Sequence, residues 1–321
     1  MTDTSRPAIE PYARRESWHC YRQLIADAFA FEFQHEPAES WFDWEGHHVH
    51  LDTWLPTEPA RGTVVLIHGG GGHGRLLAPL GDRLARAGYR ALAPDLPGYG
   101  ITATAPGWHV DYAAWPRLVA YMADANAAPV ALFGLSMGGM TALWGAQMAR
   151  DVRAVIATTL IDLRDPAVYE QSARWPWVAR MARLGHRWAP ALTDGLALPL
   201  RLAAPLDALT GDRALQDYFR TDPLLGARRV PTRFFRTTHQ FVPPRDDFAL
   251  PCPLLLAHPG ADVWTPTAMS RPCFDAIPSA KEFREMSNGS HLPLEQPCLR
   301  ELEETVLDFL ARTMRSDTPA A

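Results

Sequence analysis

Ser136 lies in Phe133-Gly134-Leu135-Ser136-Met137-Gly138-Gly139, which has the spacing Gly-x-Ser-x-Gly. A serine hydroxyl is a poor nucleophile at neutral pH and needs a base in hydrogen-bond reach, with a third group to orient that base. Histidine suits the shuttle because its ordinary pKa lies nearest neutrality. The chain order serine, acid, histidine, each on a loop after an apolar run, is met by Ser136, Asp262 and His291. Upstream, His68-Gly69-Gly70-Gly71-Gly72-His73-Gly74 places five glycines within seven residues. Such a backbone can turn several N–H groups toward one point. The expected use is an oxyanion hole made by the N–H groups of Gly70 and Met137. A phosphate loop is the rival reading, but the Gly-Lys-Ser/Thr ending is missing and no dinucleotide glycine spacing fits. His68 and His73 are read as shaping this loop rather than moving protons.

The elements around these residues explain how they could meet. Pro129-Val130-Ala131-Leu132 before the serine reads as a buried strand, and Met140, Leu143, Trp144 and Met148 after it recur at helical spacing. A strand, a tight turn and a helix would leave Ser136 with strained backbone angles and an exposed hydroxyl. Thr63 to Ile67, Tyr89 to Pro94, Ala154 to Ile161 and Pro253 to His258 read as further buried strands. Helices are expected over Leu76 to Ala87, closing at Gly88, over Asp111 to Asn126, and at the end through Leu302, Val306, Phe309 and Leu310. The alternation predicts an α/β fold with a mainly parallel central sheet and helices on both faces. Sites in such sheets lie at the carboxyl ends of the strands, where Ser136, the Gly70 loop and Asp162 all fall.

At the start of the chain, residues 1–16 read as a loose tail, and Trp18, Tyr21, Leu24, Ile25 and Phe29 mark a packed helix. Val49, Leu51 and Trp54-Leu55 suggest an early antiparallel strand. The strand–helix rhythm stops at Asp162 and returns near Pro253. Between them helical pieces are expected around Trp177 to Trp188, Leu196 to Leu209 and Arg213 to Phe219. The segment 162–250 holds 13 Arg against 10 Asp plus Glu, so it is net positive within an acidic chain. Long insertions of this kind are usually functional, and a lid over the pocket is the expectation. The division is therefore a core of 1–161 and 251–321, with 1–45 as an N-terminal helical extension, and a helical cap of 162–250 inserted after the strand ending near Ile161.

With His68-Gly69-Gly70, Gly134 to Gly139, Gly260-Ala261-Asp262 and Gly289-Ser290-His291 in this order, the chain resembles the α/β-hydrolase family from about Gly62 to its end. The cap position, the Ser136-Met137-Gly138-Gly139 stretch and Asp222-Pro223-Leu224 look most like the monoacylglycerol lipase, lysophospholipase and serine aminopeptidase group. The resemblance implies that Ser136 attacks, His291 takes its proton and Asp262 holds the imidazole in its tautomer. It also leaves Asp162 as an alternative acid, since some relatives of the fold place theirs after that strand. An aspartate nucleophile, as in dehalogenase and epoxide hydrolase relatives, is excluded by Ser136.

Bulk composition narrows the classes. A net charge of −5 over 321 residues offers no basic footprint for nucleic acid. No run is long enough for a membrane span, and residues 1–16 carry no apolar leader core. Cys20, Cys252, Cys273 and Cys298 have neither pairing nor metal spacing, which suits reduced thiols in a cytoplasm. No His-x-x-x-His or Cys-x-x-Cys pair occurs, so no metal and no cofactor are expected. The leading expectation is a serine esterase, of carboxylesterase or lipase type, acting through an acyl-enzyme on a small ester. Met137, Met140, Trp175, Trp177, Trp188 and Phe219 are candidates to line a site for an apolar acyl group. A peptidase or amidase and an acyltransferase share the same triad, and a non-catalytic ligand receptor could share the fold.

Overall fold

A computed structural model describes residues 9–127 and 129–314. Strands β1 (Ala38–Trp44), β2 (His47–Trp54), β3 (Thr63–Ile67), β4 (Arg90–Pro94), β5 (Val130–Gly134) and β6 (Ala154–Ala157) precede the inserted segment. Its hairpin is β7 (Ala197–Pro199) with β8 (Arg229–Pro231), and β9 (Leu254–Pro259) and β10 (Lys281–Met286) follow. Eight strands form one sheet in the order β1-β2-β4-β3-β5-β6-β9-β10. The pairs β1–β2 and β2–β4 are antiparallel and all others in the sheet are parallel. Every residue of β3, β5, β6 and β9 is buried, as strands covered on both faces require.

Alternation along β3 sends Val64 and Leu66 to one core and Val65 and Ile67 to the other. The first core takes Trp18, Tyr21 and Ile25 of α1 (Glu16–Phe29), Leu80 and Leu84 of α2 (Ala78–Arg86), and Val306 and Phe309 of the closing helix Cys298–Thr313. The second takes Trp115 and Leu118 of α3 (Ala114–Ala125), Leu143 and Trp144 of α4 (Met137–Met148), and Phe274 of the helix Thr267–Ala276. After β3 the chain crosses to β4 on one side, and it then returns to place β5 on the other. The loops leaving β3 and β5 therefore diverge to opposite faces and open a crevice at their carboxyl ends.

Between β6 and β9 lie α5 (Pro166–Ser172), α6 (Pro176–Trp188), α7 (Pro190–Thr193), α8 (Leu200–Ala203), α9 (Arg213–Thr221) and α10 (Thr232–His239); α11 (Thr267–Ala276) and α12 (Cys298–Thr313) complete the chain. Proline opens α5, α6 and α7, where its missing N–H costs nothing. Asp165 and Asp212 cap α5 and α9 with their side chains. On α6, Trp177, Met181, Leu184 and Trp188 are exposed on the outer face. Among the described residues no helix is long and apolar enough to cross a membrane.

Several elements differ from the sequence reading. Residues 38–44 are an edge strand rather than part of a helical extension, closed on β2 by Glu45 and Gly46, both with positive φ. Of the expected loose tail, residues 1–8 lie outside the described residues, whereas Tyr12 is buried and its hydroxyl donates to Asp95 Oδ2 at 2.9 Å. The strand expected to reach Ile161 stops at Ala157. Past it Thr158 N bonds Gly134 O, and Leu160 N leaves the sheet for Ser270 Oγ at 2.9 Å. The helix expected over Leu196 to Leu209 is split into β7, α8 and a short 3-10 turn. Pro199 and Pro205 break it, because proline removes the N–H and disfavours a helical residue before it.

Candidate active site

Ser136 occupies the turn from β5 into α4 with φ 56° and ψ −128°, a conformation that a side chain other than glycine adopts only under constraint. The constraint is visible. Ser136 N donates to Thr158 Oγ1 at 3.1 Å and Leu135 N to Ile67 O at 2.9 Å. A β-carbon at Gly134 would lie 2.1 Å from Gly138 O, and one at Gly138 would lie 2.3 Å from Ile67 O. The glycines flanking the serine are thus demanded by backbone packed against backbone.

The loop after β9 brings Asp262, and the loop after β10 brings His291, to this turn. His291 Nε2 is 2.7 Å from Ser136 Oγ, and His291 Nδ1 is 2.8 Å from Asp262 Oδ2. Asp262 is buried, and its two oxygens accept from Trp264 N, Thr265 N and Thr265 Oγ1 at 2.9, 2.9 and 2.7 Å. Burial alone would push this carboxyl up. The His291 and Thr265 hydrogen bonds, with the imidazole charge, outweigh it and hold the group at about 2. A carboxylate so fixed requires a proton on Nδ1 and leaves the Nε2 lone pair toward the serine. Asp162, the alternative acid, is instead engaged by Arg164 at 2.7 Å.

The glycine loop reaches the same point. A β-carbon on Gly70 would come within 2.5 Å of Met137 Sδ, so these residues face each other beside Ser136. Met137 is the first residue of α4, at the end of a helix that carries unpaired N–H groups and positive potential. His68 fixes the loop from behind: its Nδ1 is 2.8 Å from Gly69 O and its Nε2 accepts from Leu96 N at 3.0 Å. Burial brings its pKa down to about 4, so it is a neutral strut. His73 is buried too, stacked on Tyr12.

Two cavities meet at Ser136. The larger, about 370 Å³, runs under the inserted segment and is lined by Ile161, Leu163, Trp175, Val178, Leu198 and Phe235, among others. The smaller, about 60 Å³, lies beside His291 and is lined by Leu206, Leu209, Phe219, Leu225 and Leu292. Gly70, Ser136, Leu200 and Trp264 border both. Of the apolar residues singled out in the sequence, Met137 and Trp175 line the larger cavity and Phe219 the smaller. Met140 is buried in the core, and Trp177 and Trp188 point outward.

Residues 58–297 match the family model described as serine aminopeptidase, S33. The chain belongs to this family. It is a serine hydrolase of the α/β-hydrolase fold. Among curated proteins, the S33 chain is 29% identical over 255 residues to a pimeloyl-[acyl-carrier protein] methyl ester esterase of Chromobacterium violaceum, covering 75% of this chain and 92% of the relative. It is 33% identical to lipase LipV of Mycobacterium tuberculosis over 126 residues, 39% of this chain and 44% of the lipase. The crystal structure of a soluble variant of monoglyceride lipase from Saccharomyces cerevisiae superimposes with a TM-score of 0.70. That match is 19% identical in sequence and covers 90% of this chain and 99% of the lipase, a likeness of fold.

Some residues at this S33 site were invisible to motif reading. Trp264 packs its ring 4.5 Å from that of His291 and donates Nε1 to Ser172 O at 2.8 Å, so it ties the acid's loop to α5. Thr265 touches both Asp262 and His291. Their only sequence signal is adjacency to Asp262. Elsewhere, Glu39, His50 and Asp52 bring possible metal-ligand atoms within 4.8 Å of one another. Arg75 already fills that cluster, with 2.7 Å bonds to both Asp52 oxygens and 3.1 Å to Glu39.

Proposed function

We propose that this protein hydrolyses carboxylic esters with an apolar acyl group, using Ser136 as nucleophile, His291 as general base and acid, and Asp262 as orienter. The observation that carries the reading is the continuous relay of 2.7 and 2.8 Å from Ser136 through His291 to Asp262, opening on an apolar cavity of about 370 Å³. Ser136 Oγ attacks the ester carbon as its proton passes to His291 Nε2. The Gly70 and Met137 N–H groups take the developing negative charge. Collapse of the tetrahedral intermediate expels the alcohol, protonated by His291, and leaves an acyl-serine. Water activated by the same imidazole then releases the acid.

The cavities separate this reading from peptide hydrolysis. No Asp or Glu lines either cavity at Ser136 among the described residues, so neither offers a counter-charge for a substrate ammonium. The larger cavity suits the acyl chain and the smaller suits the departing alcohol. The Chromobacterium relative, named as an ester esterase, agrees with this class. The test is a panel of p-nitrophenyl esters from two to sixteen carbons on wild type and Ser136→Ala. Turnover of at least one chain length by wild type, absent in Ser136→Ala, supports the reading. Turnover of aminoacyl-nitroanilides with none of the esters overturns it in favour of an amidase. Transfer of the acyl group to an added alcohol in preference to water would make the protein an acyltransferase.

A further inference from the structure

The larger cavity is not uniformly apolar on its lid side. His186 of α6 lines it and is only 3% exposed. Its Nδ1 is 3.1 Å from Nε2 of His239 on α10, and the two rings stack at 5.3 Å. Tyr169 of α5, another lining residue, meets the His239 ring edge-on at 5.0 Å. Three polar rings from three lid helices are thus gathered at one place in an otherwise greasy wall.

The proton inventory of this cluster decides what it offers. Burial and the positive charge of Arg236 lower the pKa of His186. Burial, His186 and Arg183 bring that of His239 down to about 4. Both imidazoles are therefore neutral near pH 7, and a single proton lies between them. Either ring can supply that proton, and each imidazole keeps its second nitrogen for a further partner. Among the described residues no protein group bonds His186 Nε2, which accepts or donates according to the ring that supplies the shared proton. Of the other polar lining groups, the buried Tyr99 hydroxyl has no hydrogen-bond partner, whereas three hydroxyls are engaged. Ser172 Oγ donates to Val168 O at 2.7 Å, Thr232 Oγ1 bonds Thr193 O and Leu196 O, and Thr265 serves Asp262.

We propose that His186 Nε2 is a hydrogen-bond subsite of the acyl cavity that selects acyl groups carrying a hydroxyl. This rests on the ester-hydrolase reading for its catalytic consequence, but not for the binding itself. A neutral imidazole nitrogen in a low-dielectric wall is satisfied by a hydroxyl, which donates or accepts as the tautomer requires. A substrate ammonium is disfavoured by Arg183 and Arg236 nearby. A buried site built to bond a hydroxyl discriminates against the analogue lacking it, because the ring nitrogen is otherwise left unpaired.

The experiment compares p-nitrophenyl octanoate with its 5-, 6-, 7- and 8-hydroxy derivatives on wild type, His186→Phe and His186→Gln. Wild type should favour at least one hydroxy isomer in kcat/KM by roughly tenfold. His186→Phe should erase that ratio while improving the plain ester, and His186→Gln should keep part of it. A merely structural role for the histidine pair would lower both esters together and leave the ratio unchanged, which overturns the proposal. If no ester is turned over, the ester-hydrolase reading fails separately, and calorimetry of octanol against 1,8-octanediol on Ser136→Ala decides. A diol preference that disappears in Ser136→Ala/His186→Phe supports the subsite, and equal affinity in both proteins rejects it. Should His186→Phe not fold, the glutamine variant carries the same comparison.

Discussion

Thr265 donates its hydroxyl to the Asp262 oxygen that also receives His291, at 2.7 Å, while lying 3.0 Å from the imidazole Nδ1. The carboxylate is therefore saturated before any substrate arrives. Replacing Thr265 with Val removes one charge-assisted bond and nothing from the serine side. We expect kcat to fall roughly tenfold, equivalent to about 1.4 kcal/mol, with KM little changed. Steady-state kinetics on the best ester of the panel checks this; an unchanged kcat would remove Thr265 from the site.

Asp262 also links the site to acid stability. Its folded pKa, about 2, lies below the ordinary 3.8. A depressed carboxyl contributes stability that is complete above the unfolded value and is lost as pH falls through the folded one. The contribution is about 2 kcal/mol, present at pH 5 and fading between pH 4 and pH 2. Asp262→Asn should flatten the wild-type decline of Tm over that window. It should also cost up to about 10⁴-fold in kcat, since the amide favours the wrong imidazole tautomer.

His50 behaves in the opposite sense. Burial opposes its charging, but Asp95 and Glu39 raise its pKa to about 10, so it is an imidazolium at neutral pH. A raised pKa gives stability that is complete below the unfolded value near 6.5 and disappears as pH rises through about 10. The Tm of wild type should therefore fall more steeply from pH 7 to pH 10 than that of His50→Gln. Parallel curves for the two proteins would show that His50 is neutral.

Two glycine substitutions should separate folding from catalysis. A β-carbon at Gly138 meets the backbone oxygen of Ile67 at 2.3 Å, whereas one at Gly70 meets the mobile end of Met137 at 2.5 Å. Gly138→Ala should lose several kcal/mol, on the order of 3, and be recovered unfolded or insoluble. Gly70→Ala should fold with near-native Tm and lose activity as Met137 is pushed into the cleft. Equal solubility and activity for both variants would contradict this geometry.

Leu200 stands in the partition between the two cavities. Leu200→Ala should merge them, at a stability cost of about 2 kcal/mol. The ester panel would register it as tolerance for bulkier alcohols and a longer optimal chain. A specificity profile identical to wild type would place the partition elsewhere.

How much of this could be read from the chain depends on how local each signal is. Ser136 was legible because a strand, a glycine-flanked turn and a helix occupy one short stretch. Asp262 and His291 were legible because each follows a strand in a fixed chain order. Thr265 and Trp264 were not, since nothing in their spacing announces a contact with His291. The edge strand Ala38–Trp44 was missed because, facing solvent, it shows an ambiguous pattern of burial. Leu196 to Leu209 departs from the expected helix because Pro199 and Pro205 interrupt its apolar run. Glu39 and Asp52 meet through the register of the β1–β2 hairpin, whereas Arg75 comes from the turn after the glycine loop, so the cluster is a tertiary meeting that no local pattern announces.

The bond from Tyr12 to Asp95 has a reach beyond the N-terminal segment. Asp95 Oδ1 also accepts from Gly74 N at 2.7 Å, at the last residue of the glycine loop. The first described turn of the chain therefore acts as a brace, two bonds long, on the backbone that faces the nucleophile. Trimming the protein to residue 16 would leave every strand of the sheet in place and remove one of the bonds that orient Asp95, whose Oδ2 also accepts from Ile101 N at 2.8 Å.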